Sequence, residues 1–530
     1  MHSTILHSIA GMFSPPANRN EMSILRKPWL RRMDALAELS PGGYYLVCWL
    51  LIVFAYASLL LFPVLSVSSI AFLGYIVYSN NIFEWDWLTW VYANALLSVS
   101  IVSAWLSTTL FQTRVELPAG KEINDKEHKL VINRINELVK SYNAPRIAHV
   151  KLTTRFELEI QRTPVNGYPS RFVNTLIIGM PVMLCMSPLY FQLLLSRHIG
   201  HLAQTRRRYR HRLIYLRKVW QLYDDYYNSD WSGKTLLFRL FFSWYANLFE
   251  VTTRAAVRLD QFEKDSCMLD INEESRAAEA ISVFAVKKNY LENEFWPELN
   301  RMAFTSAKPK YLPYSSMNTV LRVKLQKPAK QMIFENELNR QPDPGDVYAN
   351  LRDRLNKLDV DEFIYPDEKD ENAAQFFFGD GLSEMLKQFD NVWYLKNKST
   401  WNLRYKKGLE EKKQLKELRK QAAQALLSNE EARRYLLLIE KYVDSTKALP
   451  LFREVLKTNS LDAGVCYELG RLLLDAGDAS GVQALTMAMQ TDESLTVDCC
   501  QWIVKHMVNT GKVKEAQNYR RKILEYQVKN

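Results

Sequence analysis

Two long stretches without charge constrain this chain more than anything else in it. From Gly43 to Tyr78 there is no charged residue, and from Leu88 to Thr113 there is none again. A membrane-spanning helix needs about 20 apolar residues. The second run fits one such helix. The first is long for one tilted helix and short for two. Either Pro63 divides it, or only its first two-thirds spans. It is not read as a signal peptide, because it starts late and no small-residue cleavage site follows. Arg19, Arg26, Lys27, Arg31 and Arg32 precede it, and Arg114, Lys121 and Lys126 follow the second run. The loop between has Glu84 and Asp86 and no Lys or Arg. Basic flanks stay cytoplasmic, so two spans place both ends inside the cell. Three spans would invert the main domain, and a buried hairpin in a soluble protein is the alternative to a membrane. Trp85, Trp87 and Trp90 are placed as an interfacial aromatic belt.

The chain of 530 residues has room for about three domains. Its net charge of +11 suits an anionic lipid surface or an acidic partner. Part of the excess lies in Arg206, Arg207, Arg208, Arg210 and Arg212, which either bind headgroups or pair with Asp224, Asp225 or Asp230. No recognised motif accompanies these charges, which argues against nucleic acid. None of the six cysteines has Cys-x-x-Cys spacing, so they read as reduced structural thiols, in keeping with a cytoplasmic location.

After the spans, Lys121–Tyr142 has helical periodicity and Arg146–Ile160 alternates like a strand. Pro164–Ser170 is turn-rich, and Phe172–Ile178 reads as a second strand. Pro181 and Pro188 break the hydrophobic stretch Val173–Leu195, which becomes strand, turn and buried helix. That helix opens at Ser187 with Pro188 in its first turn. It ends in Ser196-Arg197-His198-Ile199-Gly200-His201-Leu202. Leu236–Phe249 is aromatic and amphipathic, and suits either the core or the bilayer.

The helix that ends at Leu202 resembles the active-site helix of the membrane zinc metallopeptidases that include HtpX and the CAAX prenyl proteases. Their pattern is His-Glu-x-Gly-His: two His one turn apart bind Zn²⁺ and Glu is the general base. A third ligand, Glu, comes from a later helix with the pattern Glu-x-x-Ala-Asp. The resemblance implies ligand positions Arg197 and His201 and a general-base position at His198. Downstream, Gln261-Phe262-Glu263-Lys264-Asp265 matches the second pattern, with Gln261 at the ligand position and Asp265 as the acid. The likeness extends over roughly Lys121 to Lys413. It takes in Trp220, Phe242-Ser243-Trp244-Tyr245, Thr253-Arg254, Tyr290-Leu291-Glu292, Asn350-Leu351-Arg352-Asp353-Arg354-Leu355, Trp393 and Trp401.

The departures decide the chemistry. Arginine stays cationic and offers no lone pair to a metal. The neutral amide of Gln261 is a poorer zinc ligand than a carboxylate. The expected arrangement has Arg197 filling the vacated space and pairing with Glu263 or Asp265, with no metal bound. In the alternative, His198 and His201 share a zinc ion with Asp265 in a shifted site, with His211 as a fourth ligand.

Ala307–Ser316, Gln341–Gly345 and Pro366–Asn372 read as loops, and Leu403–Gln424 as a charged helical linker. Beyond Ser428 a 34-residue spacing relates Gly477 to Gly511, Ala448 to Val482 and Ala516, and Leu456 to Gln490 and Leu524. Cys466, Leu469, Gly470 and Leu473 take offsets found in the first helix of a tetratricopeptide repeat. This part resembles about three degenerate tetratricopeptide units, whose curved arrays bind peptides or proteins.

The expected organisation is therefore an N-terminal segment (1–42), a transmembrane region (43–113), a metallopeptidase-like domain (114–402), a linker (403–427) and helical repeats (428–530). The fold class is mostly α with a small β-sheet: transmembrane helices, a gluzincin-like domain and an α-helical repeat array. The expected partners are membrane lipid and a protein bound by the repeats. The expected setting is a bacterial inner membrane with the main domain cytoplasmic. The function read is a catalytically inactive scaffold or regulator, against an active membrane metalloendopeptidase with a non-standard zinc site.

Overall fold

The computed structural model describes residues 22–79, 85–124, 128–167, 171–204, 209–229, 235–269, 274–341, 348–359, 364–366, 371–424, 427–443, 445–456, 461–510 and 512–529. It is mostly helical, 79%, with one small mixed sheet. Two compact units are present: residues 1–295 with 312–392, and residues 296–311 with 393–530.

The first unit opens with α1 (Met22–Leu39), α2 (Pro41–Ser79) and α3 (Trp87–Gln112). Both α2 and α3 are long and apolar enough to cross a membrane. The chain stays helical through Pro63, so the first apolar run is one helix rather than two. Proline removes one helical N–H, a cost that neighbouring groups offset in apolar surroundings. Asp86 starts α3 by accepting from the backbone N–H of Thr89 at 2.9 Å. Ser66 of α2 donates to the carbonyl of Ser100 in α3.

The sheet follows. Its strands β1 (Lys121–Glu122), β2 (His149–Thr153), β3 (Leu158–Asn166) and β4 (Arg171–Gly179) lie in the order β1-β2-β4-β3. β2 runs parallel to β4, and β1 and β3 are antiparallel to their neighbours. The central strand β4 buries Leu176, Ile177 and Ile178 in succession, as a strand covered on both faces must. Three expectations change here. Lys121 and Glu122 are strand, and the helix α4 is shorter, Lys129–Ser141. The single alternating stretch expected over 146–160 is two strands. Pro164 lies inside β3, opposite Phe172, rather than in a turn. β3 is an edge strand and its ladder is irregular just after Pro164, both settings in which a sheet tolerates proline.

The chain then forms α5 (Met180–Cys185), α6 (Pro188–Gln204), α7 (Tyr209–Ser229), α8 (Leu236–Thr252), α9 (Arg254–Ser266) and α10 (Glu274–Tyr290). Ser187 begins α6 by accepting from the N–H of Tyr190. The turn expected after β4 is the short helix α5. A core of aromatic rings joins α2, α7 and α8. Trp220, Tyr227, Phe238, Phe242, Tyr245 and Phe249 are all buried. Burying each such side chain contributes about 2 kcal/mol. Tyr44 of α2 donates to the carbonyl of Thr252, and Thr113 shares a 2.6 Å hydrogen bond with Tyr227.

A π-helical turn, Leu291–Phe295, leads to α11 (Trp296–Met302) of the second unit. The first unit resumes with α12 (Pro313–Lys324), α13 (Lys327–Asn339), α14 (Leu351–Asn356) and α15 (Ala373–Phe378). Asp390 caps α12, accepting from the N–H groups of Tyr314 and Ser315 and from the Ser315 hydroxyl.

Helix α16 is continuous from Leu382 to Ala423, so the charged linker is its later part and not a separate helix. The division between units falls within it, before Trp393, and places Trp393 and Trp401 with the second unit. Three further helix pairs follow. They are α17 (Asn429–Tyr442) with α18 (Ser445–Leu456), α19 (Ala463–Asp475) with α20 (Ser480–Thr491), and α21 (Thr496–Asn509) with α22 (Val513–Lys529). α19 and α20 pack closely because Gly470 faces Gly481. A Cβ on Gly470 would lie 2.6 Å from Leu485 Cγ and 2.9 Å from the Gly481 carbonyl. All six cysteines are free and buried.

Candidate functional site

The residues singled out on α6 and α9 meet in the first unit. α6 buries Leu194, Leu195, Ile199 and Leu202 and carries Arg197, His198 and His201. Gly200 lets this helix approach its neighbours. A Cβ there would come within 2.9 Å of Cys267 Cβ and 3.0 Å of the Tyr142 ring. Tyr142, at the end of α4, in turn donates to the Cys267 carbonyl at 2.7 Å, which ties the end of α9 to the end of α4.

Asp265 is the centre of one cluster. Arg197 Nε donates to its Oδ1 at 2.6 Å. Arg354, from α14, grips the same carboxylate with two bonds, Nε to Oδ2 at 2.7 Å and Nη2 to Oδ1 at 3.0 Å. Asp265 is fully buried, which pushes its carboxyl pKa up. The Arg354 and Arg197 guanidiniums outweigh this and hold it below the usual carboxylate range. Of the two acids expected to meet Arg197, the structure pairs it with Asp265. In the sequence Arg354 stands in the segment Asn350–Leu355, and nothing there points to Asp265. Its place here has no local signal, because α14 lies far along the chain from α9.

His201 forms a second, adjoining cluster. Its Nε2 lies 2.6 Å from Asp260 Oδ1, and its side chain is buried. With Asp260 ionised, Nε2 is the nitrogen that donates, since a carboxylate only accepts. The other nitrogen, Nδ1, lies 3.4 Å from the Tyr215 hydroxyl, and the two rings stack. Lys264 sits 3.3 Å from the second oxygen of Asp260. Burial pushes the Tyr215 phenol well above its ordinary value, and the Asp260 charge adds to this. Asp260 was not singled out from sequence, although it stands one residue before Gln261.

His198 lies between the clusters. Its Nε2 is 3.3 Å from Arg197 Nη1. Burial, then the positive charge of Arg197, with Lys264, His201 and Arg354 adding, keep its pKa well below the usual imidazole range. It is therefore neutral at pH 7. Gln261 turns its amide oxygen to the backbone N–H of Ala349 at 2.9 Å.

These donors do not fit a zinc ion. Arg197 has no lone pair to give. Gln261 Oε1 and both ring nitrogens of His201 face protein partners. Asp265 accepts three bonds from two cations. Among the described residues, no three His, Cys, Asp or Glu side chains converge as a metal would need. Of the shifted trio, His198 and Asp265 both face the guanidinium of Arg197, while His201 faces Asp260 and Tyr215. The side chain of His211 lies outside the described residues, as do Arg206, Arg207, Arg208 and Asp230. Asp224 meets Ser243 and Asn228.

Comparison with family models, curated proteins and solved structures finds no match for this chain.

Proposed function

We propose that this protein is a membrane-anchored, catalytically inactive relative of the zinc metallopeptidases, acting as a protein-binding scaffold or regulator. One observation carries the reading. The guanidinium at the matched first-ligand position is tied to the acid of the second pattern, and Arg354 locks that acid from the other side. A site arranged this way stabilises its own cations and has no place for a metal-activated water. In this reading α2 and α3 hold the chain in a bacterial inner membrane, with the main domain on the cytoplasmic side and lipid as its first partner. The three helix pairs after Ser428 suit a tetratricopeptide-like array, a kind of repeat that binds peptides or proteins, and a protein partner would bind there. Nucleic acid has no part in it.

The test is metal quantification on tag-free protein, paired with a casein-cleavage assay with and without chelator. The expected result is less than a tenth of an equivalent of zinc and no chelator-sensitive cleavage. Stoichiometric zinc with cleavage that His201→Ala abolishes would instead establish an active metalloendopeptidase with a non-standard site. The scaffold role is tested by capture of a stable partner from membranes, which deletion of residues 428–530 should abolish.

A further inference from the structure

The face of α8 that points away from the aromatic core carries Leu236, Leu237, Leu240 and Trp244, all exposed. Its opposite face, with Phe238, Phe242, Tyr245 and Phe249, is buried. Apart from Arg239 and Ser243 the first half of α8 is apolar on its exposed as well as its buried face, a pattern that in a helix means burial or lipid. Arg239 is the only charged residue from Leu236 to Phe249, and its long stem allows the head to reach an interface. No large exposed apolar residue follows Trp244 in α8, and Glu250 near its other end pairs with Arg217.

The neighbour of α8 tells what covers this face. α8 runs antiparallel to α2. Phe238 packs on Phe62 and Trp244 on Phe54, while Tyr245 donates to the Leu51 carbonyl and Tyr44 to the Thr252 carbonyl. α2 has 39 residues, or roughly 58 Å at 1.5 Å per residue, against about 30 Å of hydrocarbon. Yet its outward apolar strip continues into the part beside α8, through Leu46, Leu50, Val53 and Phe54. Trp244, packed edge-on against the exposed Phe54, joins the exposed face of α8 to that strip.

We infer that the first half of α8 is embedded in the same membrane as α2, with Leu236, Leu237, Leu240 and Trp244 against acyl chains. The inference rests on α2 being a membrane helix. It gives the domain a lipid contact beyond its two spans, and holds the helix that leads into α9 against the bilayer. Asp260, Gln261 and Asp265 are thereby carried at a set distance from the membrane surface.

Spin labels at Leu237→Cys and Leu240→Cys, in full-length protein in phospholipid nanodiscs, test this. The six native cysteines are buried, and unsubstituted protein supplies the labelling background. Val53→Cys on α2 serves as the lipid reference. Leu130→Cys on α4, 60% exposed, serves as the water reference. The expected result is relaxation of the α8 labels by oxygen several-fold more than by a water-soluble nickel chelate, as at Val53. Nickel accessibility like that of Leu130, with Val53 still lipid-like, would overturn the placement of α8 alone. Protection from both reagents would also overturn it, pointing to a protein partner. Nickel access at Val53 itself would overturn the membrane anchor and this inference with it. Two label positions guard against one variant misfolding.

Discussion

Arg197 Nε meets Asp265 Oδ1 at 2.6 Å, with the acid fully buried and the guanidinium nearly so. Two positions 68 apart in the chain are thereby joined to each other. The pair is not isolated, since Arg354 holds the second carboxylate oxygen. One anion between two cations leaves a net positive cluster whose stability depends on that single carboxylate.

Asp265→Asn should therefore be the most damaging conservative change in the site. It leaves Arg197 and Arg354 buried together without their anion, which costs about 3–5 kcal/mol. Arg197→Met keeps the bidentate Arg354 pair and should cost about 2 kcal/mol. Urea unfolding of the two variants in detergent checks the order. An equal loss for both would show that Arg354 does not hold Asp265 alone.

The same carboxylate sets an acid limit. Its folded pKa lies below its unfolded value of about 3.9. Its stabilisation is full above the unfolded value and is lost as pH falls through the folded one. Stability should fall steeply below about pH 4, and Arg354→Met should reduce that dependence. Melting temperatures across pH 3–7 measure this.

His198 acts in a higher window. Its folded pKa is well below the ordinary value of about 6.5, so the unfolded chain takes up a proton first. Stability should decline as pH drops from about 6.5, by at most about 1.4 kcal/mol per pH unit. His198→Gln should flatten the profile between pH 5 and 7 without shifting the acid limit set by Asp265. An unchanged slope would mean that His198 stays accessible to protons.

In the second unit the buried Glu411 gathers three partners. Lys441 Nζ and the Tyr442 hydroxyl each lie 2.6 Å from its Oε2, and Arg434 lies 3.4 Å from Oε1. Burial raises the Glu411 pKa, and the Lys441 and Tyr442 hydrogen bonds then bring it below the ordinary value. Glu411→Gln keeps the shape but removes the charge, and should cost about 2–3 kcal/mol. Calorimetry should show this loss in the second unit's transition, with partner capture weakened in parallel.

Gly470→Val tests the helix pairing beyond Ser428. The added side chain meets Leu485 and the Gly481 backbone, so α19 and α20 must move apart. Overpacking of this kind costs about 1–3 kcal/mol. A variant as stable as the natural chain would show that these helices have room to separate.

Much of the fold was legible from local pattern. The uncharged runs specified α2 and α3, because length without charge is a one-dimensional property. The pair Ser187–Pro188 marked the start of α6, since caps act within one turn. Pairing of β3 across Pro164 was not legible, because only the sheet order shows that β3 is an edge. The continuity of α16 through a change in composition was missed for a similar reason: propensity carries a helix past the point where its neighbours change.

The site divides along the same line. The chain alone determined that a guanidinium, an imidazole and an amide stand at Arg197, His201 and Gln261, and hence what chemistry these groups lack. Only the tertiary structure decided their partners. Arg354 reaches Asp265 from 89 positions away, and Asp260 takes His201 from 59. Residue type is written in the sequence, but which charges share a buried volume depends on how distant helices pack. In a low-dielectric interior that packing settles every pairing.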